Sequence, residues 1–317
     1  MNDNRIEKYT KTLGTRFSAR QKSKFTDELT KDFSEFGYEM KMIEGRKWLN
    51  KAKDIFYGNM KTAKTVIVVP YDTPEKKFWH KIFYFPFDGT KTANKTMAAT
   101  FVPIVVVYAF VLGFVFFGSK LVTDPIMSSI LSVVMFVLLI FLVYFMTHGI
   151  RNTKNYNRNS ASVIAALEIA EGLSKDERKK VGFLFTDKNK SRFLGAEIAG
   201  KEFKEAGKNP NIIYLDCIAN GNTLQLGYKP QNRKFAQEII KSDPNKKAID
   251  AVKIDENMQF QSAMAHFDKA VVISCGELDD EGRLYVLGTC TGKDKVLDQS
   301  NVERIIKMVV NYINKIR

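Results

Sequence analysis

The stretch Lys64–Thr73, KTVIVVPYDT, decides the fold of this chain. Every residue from 65 to 69 is β-branched, and after Lys64 the run carries no charge until Asp72. A strand that is apolar on both faces is typical of a parallel sheet covered by helices on both sides. We therefore predict a buried strand here, with its polar end at Asp72.

Similar strands alternate with helices along the rest of the chain. KVGFLFTD and NIIYLDCI are further buried strands, and shorter strands are predicted at 270–274 and 284–287. Apolar residues at helical spacing predict helices over 20–36, 162–173, 193–207 and the C-terminal segment. This alternation predicts a three-layer α/β sandwich with a mainly parallel central sheet. Such folds place their sites at the carboxyl ends of the strands, which here are Asp72, Asp187 and Asp216.

Two uncharged apolar runs, 97–118 and 126–147, interrupt this pattern. Each is long enough to cross a bilayer, and two in succession favour a transmembrane hairpin over buried helices of a soluble domain. The connection of seven residues carries Lys120 and Asp124, whereas the outer flanks carry only cations, at Lys91, Lys95, Arg151, Lys154 and Arg158. The positive-inside rule then places both termini and the globular domain in the cytosol of a two-helix, multi-pass membrane protein.

The hairpin divides the chain into three parts. Residues 1–96 and 150–317 form the two halves of one globular domain, and residues 97–149 form the hairpin. Before it, residues 76–87 read KKFWHKIFYFPF. Aromatic residues interleaved with lysines predict a segment lying at the headgroup level, and an ordinary hydrophobic strand or loop is the alternative.

The bulk composition adds two expectations. The formal net charge of +14 fits a domain lying against an anionic leaflet better than a nucleic-acid binder, because we find no zinc-finger spacing and no basic-aromatic strand signature. Three cysteines without a CxxC pair indicate no disulfide framework. The polar N-terminus predicts no cleaved signal peptide.

The order of segments resembles the di-zinc aminopeptidase family, of the aminopeptidase Y and bacterial leucyl aminopeptidase type. LGTRF at the start of Leu13–Glu39 is similar to the family's opening turn, and VIVVPYDT is similar to its first ligand strand. NRNSASVIAALEIA, FLFTDKNKSRFLGA, NIIYLDCI and CTGKD follow in the family's order. The resemblance covers nearly the whole chain outside the hairpin and implies a zinc-peptidase-like fold.

The same resemblance implies that most metal ligands have been replaced. The first histidine ligand falls on Pro70 and the bridging aspartate on Arg158, while the glutamate pair falls on Asn189 and Lys190. Asp216 keeps its identity, and the last histidine falls on Cys290. Asp72, whose counterpart orients the first histidine, is also retained. We therefore expect no catalytic residue, no bound metal and no cofactor, and a degenerate pocket formed by Asp72, Arg158, Asn189, Lys190, Asp216 and Cys290.

These residues favour a non-catalytic, membrane-anchored peptidase-like protein. The cations Arg158 and Lys190 would replace the metal charge by pairing with Asp72 and Asp216. We expect the pocket to bind a peptide or a partner membrane protein, as an accessory subunit of a membrane complex, and we expect no nucleic-acid partner. The alternative is an active aminopeptidase with a divergent zinc site on Asp216 and Cys290. The insertion, which lies between Asp72 and Arg158, would place the membrane beside the pocket.

Overall fold

The computed structural model describes residues 1–77, 82–114, 116, 124–189, 192–245, 249–259 and 262–315. The predicted pocket residue Lys190 lies outside these residues. Ten strands form one sheet in the described part of the chain: β1 Met40–Lys47, β2 Asn50–Tyr57, β3 Thr65–Pro70, β4 Phe83–Tyr84, β5 Val181–Thr186, β6 Asn211–Leu215, β7 Thr223–Tyr228, β8 Asp250–Lys253, β9 Ala270–Leu278 and β10 Leu284–Leu287.

The sheet is mixed, which corrects the prediction of a mainly parallel one. Its order is β1-β2-β5-β3-β6-β9-β10-β4, with β7 also paired to β9 and β8 to β7. The four central strands β5, β3, β6 and β9 run parallel, whereas β2 joins β5, and β7 and β10 join β9, in antiparallel fashion. The apolar runs that suggested a parallel sheet belong to the centre. The flanking strands are shorter or half-exposed, and their apolar signal is weak.

Helices cover both faces of the sheet. Side chains of β3 alternate between two buried clusters: Ile67 and Val69 point to one, and Val66 and Val68 to the other. This alternation is the period-two consequence of an extended strand. The architecture is therefore the predicted α/β sandwich. The described α-helices are α1 Asp3–Glu7, α2 Ala19–Glu35, α3 Gly89–Gly113, α4 Pro125–His148, α5 Ala161–Gly172, α6 Lys175–Arg178, α7 Leu194–Glu205, α8 Arg233–Ile240, α9 Glu256–Gln259 and α10 Gln299–Lys315. Short π turns lie at Lys8–Thr12 and Tyr156–Ser160, and 3₁₀ turns lie at Pro230–Asn232 and Ala263–His266.

Two of these helices occupy the predicted hairpin. Among the described residues, Pro125–Tyr144 within α4 is the one stretch long and apolar enough to cross a membrane, and none of its most apolar window is buried. The apolar part of α3 is shorter, Ile104–Gly113. The helix begins at Gly89 because Asp88 caps it, accepting a hydrogen bond from the Lys91 amide at 2.8 Å. One candidate span is thus present, and the two-span hairpin stays a prediction.

The segment before α3 belongs to the globular domain over its described length. Residues 83–84 form β4, which pairs with β10. The side chains of Ile82, Phe85 and Phe87 are each 4% exposed. Of the two alternatives for residues 76–87, the structure favours an ordinary strand and loop for 82–87. Residues 78–81 lie outside the described part. The start and end of the insertion run side by side, since the Lys76 amide donates to the Ile150 carbonyl at 2.6 Å.

Candidate functional site

The candidate site lies where the parallel strands end. Asp72 follows β3, Asp187 follows β5 and Asp216 follows β6. Because the carboxyl ends of parallel strands share one edge of a sheet, these three carboxyl groups lie near one another, as predicted. All three side chains are buried. Each one therefore needs a specific partner, since an unpaired buried charge is costly.

Arg158 is the partner of Asp216. It lies in the π turn Tyr156–Ser160 that leads into α5, and its guanidinium forms a very close ion pair with one oxygen of the Asp216 carboxylate. The second carboxylate oxygen accepts a hydrogen bond from the Tyr84 hydroxyl at 2.5 Å. The Tyr84 ring also lies 4.2 Å from the Arg158 guanidinium. Both oxygens of Asp216 are thus engaged by protein groups.

The electrostatics of this trio follow from its burial. Burial alone would lower the pKa of Arg158, but the attraction of the Asp216 carboxylate prevails and raises that pKa well above its usual value. Burial raises the pKa of Tyr84 well above its ordinary range, so its hydroxyl stays protonated and donates. Burial likewise raises the pKa of the adjacent Cys217 thiol. The trio is therefore a fixed, charge-balanced arrangement rather than a group ready to exchange protons.

Within the described residues, the hydrogen bonds to the Asp72 carboxylate come from a neutral residue, Asn189. The Asn189 side-chain amide donates to its carboxylate at 2.6 Å, and the Asn189 backbone amide donates to the same oxygen at 3.3 Å. Asn189 is itself fixed, because its side-chain amide also donates to the Thr186 carbonyl at 2.9 Å. The structure thus places Asn189 beside Asp72, while the predicted contribution of Lys190 lies outside the described residues.

Two further carboxyl groups, those of Asp187 and Asp54, lie close together beside Asp72. Asp187 forms an ion pair with Lys22 of α2, and its backbone amide donates to Asp54 of β2 at 2.7 Å. Burial raises the pKa of Asp187, and the neighbouring Asp72 carboxylate adds to the rise. Burial raises the pKa of Asp54 well above its usual value. Lys22 therefore supplies the compensating charge on this side of the pocket, a role that sequence reasoning missed.

Asp294 fixes the loop that carries Arg158. Its carboxylate accepts hydrogen bonds from the backbone amides of Asn157 at 2.7 Å and Arg158 at 3.1 Å. Burial raises the pKa of Asp294 to about 7, although these two hydrogen bonds oppose the rise. The nearby Cys290 is half-buried, and burial raises the pKa of its thiol. A protonated thiol is a poor nucleophile and a poor metal ligand.

Most of the predicted pocket residues line one cavity of about 690 Å³. This volume lies within the range of small-molecule and peptide-side-chain pockets, roughly 300–1,000 Å³. Four of the six predicted pocket residues line it, namely Asp72, Arg158, Asn189 and Cys290; Asp216 lies behind Arg158. The wall on the insertion side is formed by 82–86 and by the first turns of α3, at Gly89, Thr92, Ala93 and Thr96.

The loop after β5 forms another part of the cavity wall under backbone strain. Lys188, Arg192 and Phe193 line the cavity and adopt φ values of 55°, 56° and 56°. Non-glycine residues rarely occupy this left-handed region, and such residues concentrate at functional sites.

The residues present do not fit the zinc ions that the fold family implies. Pro70 offers no side-chain donor, Asp216 is saturated by Arg158 and Tyr84, and Arg158 brings a positive charge to the position of a bridging ligand. Within the described residues, no group of three histidine, cysteine, aspartate or glutamate side chains could hold a metal ion. We therefore assign these residues no role in holding a catalytic metal.

Comparison with solved structures identifies the class of fold. The chain is similar to glutaminyl cyclase from Porphyromonas gingivalis, with 12% identity, a TM-score of 0.60, and coverage of 99% of this chain and 96% of that one. It is also similar to a Zn-dependent exopeptidase from Parabacteroides distasonis, with 13% identity, a TM-score of 0.59, and coverage of 98% and 94%. A leucine aminopeptidase precursor from Bacteroides thetaiotaomicron matches at 13% identity and a TM-score of 0.55, over 98% and 93%.

The chain therefore has the zinc-peptidase-like fold, as the resemblance of its segments indicated. No protein-family model matches the sequence, and no curated protein sequence matches it. At these identities the structural likeness establishes the fold alone, and the chemistry must be argued from the residues of this chain.

Tyr84 is the site residue that sequence reasoning missed most clearly. It lies in FYF, residues 83–85, within the stretch assigned to the membrane interface, and nothing local distinguishes it from its aromatic neighbours. Its role depends on β4 joining the far edge of the sheet beside β10. No sequence signal in one chain predicts that pairing.

Proposed function

We propose that this chain is a membrane-anchored, peptidase-like protein without hydrolytic chemistry. Its cavity binds a peptide, or a segment of a partner membrane protein, at the cytosolic face. The observation that carries the proposal is the position of the Arg158 guanidinium, which pairs with the one retained ligand, Asp216, under the ring of Tyr84. A guanidinium is permanently charged, and separating it from a buried carboxylate costs free energy because it leaves a buried charge unpaired.

The cavity lining supports binding over catalysis. Apolar walls from Phe17, Ile82 and Phe83 stand beside cationic side chains at Lys188 and Arg192. Sites of this kind combine apolar contact area with a few polar groups that orient the ligand. A peptide, with an apolar side chain and a backbone carbonyl or terminal carboxylate, matches both kinds of surface.

The insertion supports membrane anchoring. Pro125–Tyr144 is apolar and unburied. The first turns of α3, the helix that precedes it in the sequence, form part of the cavity wall. With the cationic flanks outside both runs, we place the termini and the domain in the cytosol. A partner embedded in the same membrane would then meet the cavity directly, as in an accessory subunit of a membrane complex.

The first test is metal content and hydrolysis on the full chain in mild detergent. We expect no stoichiometric zinc by elemental analysis and no cleavage of aminoacyl amide substrates with or without added zinc. Zinc at one or two ions per chain, together with hydrolysis that a chelator removes, would refute the proposal in favour of the divergent aminopeptidase.

The second test concerns the cavity itself. A photo-crosslinking amino acid at Thr92, in the cavity wall, is expected to capture a stoichiometric peptide or membrane protein in cells. The same probe at Glu35, exposed at the end of α2 on the opposite side of the domain, is the matched control. Equal capture at both positions, or none at Thr92, would count against a ligand in the cavity.

A further inference from the structure

The tip of the β1–β2 hairpin carries two large apolar side chains in water. Trp48 and Leu49 form the two-residue connection between Lys47 and Asn50, and they are 88% and 91% exposed. Trp48 adopts a φ of 56°, at a turn position that usually holds glycine or asparagine. The turn therefore does not require tryptophan, and neither side chain contributes to the core. Their presence needs a different explanation.

The tip projects on the cavity side of the domain. β2 and β5 are antiparallel, and Ile55 pairs with Phe185. The residues that precede Ile55 in β2 therefore extend past the carboxyl end of β5. The tip then lies six to seven residues beyond this pair, about 20 Å at strand spacing. Asn50, next to the tip, lines the same cavity as the first turns of α3. The tip and the helix that leads into the apolar insertion thus stand on one side of the molecule.

Exposed cations lie on this side of the domain. Arg46 is exposed and donates from Nε to the Trp48 carbonyl at 2.8 Å, which stabilises the turn. Lys95 on α3 and Arg192 on the cavity rim are also exposed. In the part of the chain that the structure describes, no ion pair involves Arg46, Lys95 or Arg192. Exposed aromatic and aliphatic groups beside exposed cations match the interface of a membrane that contains anionic lipid.

We propose that Trp48 and Leu49 insert into the headgroup region of the bilayer that holds α4. This inference rests on the membrane anchoring proposed above and adds a second, independent contact with the same leaflet. The indole ring suits this depth, because its apolar body and polar N–H favour the boundary between water and hydrocarbon. Two separated contacts would hold the domain in one orientation, with the cavity mouth toward the membrane surface.

Tryptophan fluorescence of the full chain in proteoliposomes tests this contact. The chain has two tryptophans, so Trp79→Phe leaves Trp48 as the sole emitter. In vesicles containing phosphatidylglycerol we expect blue-shifted emission, strong quenching by lipids brominated near the headgroup, and weak quenching by acrylamide. The control is Glu35→Trp in a Trp48→Phe, Trp79→Phe background, which is expected to be quenched by acrylamide and several-fold less by brominated lipid.

The outcomes separate this inference from the anchor. Flotation of the proteoliposomes reports anchoring without reference to Trp48, and Trp48→Ser with Leu49→Ser is expected to float like the unmodified chain. If the chain floats but Trp48 behaves like the Glu35→Trp control, the inference fails and the anchor stands. If the chain does not float, the anchor itself fails. A blue shift without quenching by brominated lipid would assign the tip to a protein contact and overturn the inference.

Discussion

Tyr84 donates a 2.5 Å hydrogen bond to Asp216, although 132 positions of sequence separate the two residues. Tyr84 lies between Asp72 and Arg158 and Asp216 follows β6, so this bond ties the inserted segment to the carboxyl end of a central strand. The insertion is therefore part of the pocket architecture.

Loss of the Tyr84 hydroxyl should remove this link between the inserted segment and Asp216. We expect Tyr84→Phe to keep the ring over Arg158 and to lower the free energy of unfolding by roughly 1–3 kcal/mol, because a hydrogen bond to a buried carboxylate is lost. Chemical unfolding in mild detergent measures the difference. Tyr285→Phe, on the neighbouring β10, removes a hydroxyl without a hydrogen bond to the site and serves as control. Equal effects of the two changes would contradict a specific role for the Tyr84 hydroxyl.

Breaking the Arg158–Asp216 pair should be much more costly. We expect Arg158→Leu to lower the free energy of unfolding by roughly 3–5 kcal/mol, since it leaves a buried carboxylate unpaired. Adding Asp216→Asn removes that charge and is expected to recover part of the loss.

A double-mutant cycle on these two positions measures their coupling. The two single changes and the double change are compared by the same unfolding measurement. Additive losses within about 0.5 kcal/mol would show that the pair does not act as a unit.

Stability should depend on pH through Asp294. Its pKa is about 7 in the folded chain because of burial, against about 3.9 for an unperturbed aspartate. Between these values the folded state binds more protons, so stability falls as pH rises from about 4 to about 7 and then levels off. At 1.36 kcal/mol per pKa unit the loss is at most about 4 kcal/mol.

The comparison with Asp294→Asn isolates this contribution. Burial also raises the pKa of Asp187 and Asp54, which act in the same direction and persist in the variant. Unfolding followed at pH 5 and pH 7.5 is expected to show a smaller pH difference in Asp294→Asn than in the unmodified chain. An identical pH difference would assign the whole effect to the other carboxyl groups.

Two glycines offer a matched test of packing next to the site. A Cβ on Gly195 of α7 would lie 2.3 Å from Asp54 Oδ1 and 2.5 Å from the Asp187 carbonyl oxygen. We therefore expect Gly195→Ala to cost about 1–3 kcal/mol or more, as overpacking does. A Cβ on Gly172 meets nothing closer than 3.9 Å, so Gly172→Ala is expected to be neutral or slightly stabilising. Unfolding midpoints compare the two, and a tolerated Gly195→Ala would mean that α7 can shift away from β5.

The proposed topology can be read by thiol labelling in intact cells. In a Cys290→Ser background, Asp124→Cys lies between the two apolar runs, and we expect an impermeant maleimide to label it from outside. Lys31→Cys, on the exposed face of α2, is expected to react after permeabilisation only. The remaining cysteines, Cys217 and Cys275, are buried. Labelling of both positions from the same side would exclude the hairpin.

Central strands and amphipathic helices were predictable because their signals are local. The β-branched residues of β3, and the helical spacing of apolar residues in α2 and α10, predict burial without any information on the neighbouring element. The edge strands β1, β4 and β8 and the inner strand β7 were missed, because none of them carries a continuous apolar run. The prediction of a mainly parallel sheet was wrong because strand direction has no local signal: β2 runs antiparallel to β5, and β7 and β10 run antiparallel to β9.

Sequence alone determined the residue types at the positions that the resemblance assigns to metal ligands, including Pro70 and Arg158, and the length of the apolar runs. These are properties of side chains and need no coordinates. Only the tertiary structure decided that Arg158 pairs with Asp216, that Asn189 donates to Asp72, and that Tyr84 donates to Asp216. Pairing depends on which strand ends and loops meet in space, and contacts across more than a hundred residues have no local signature in one chain.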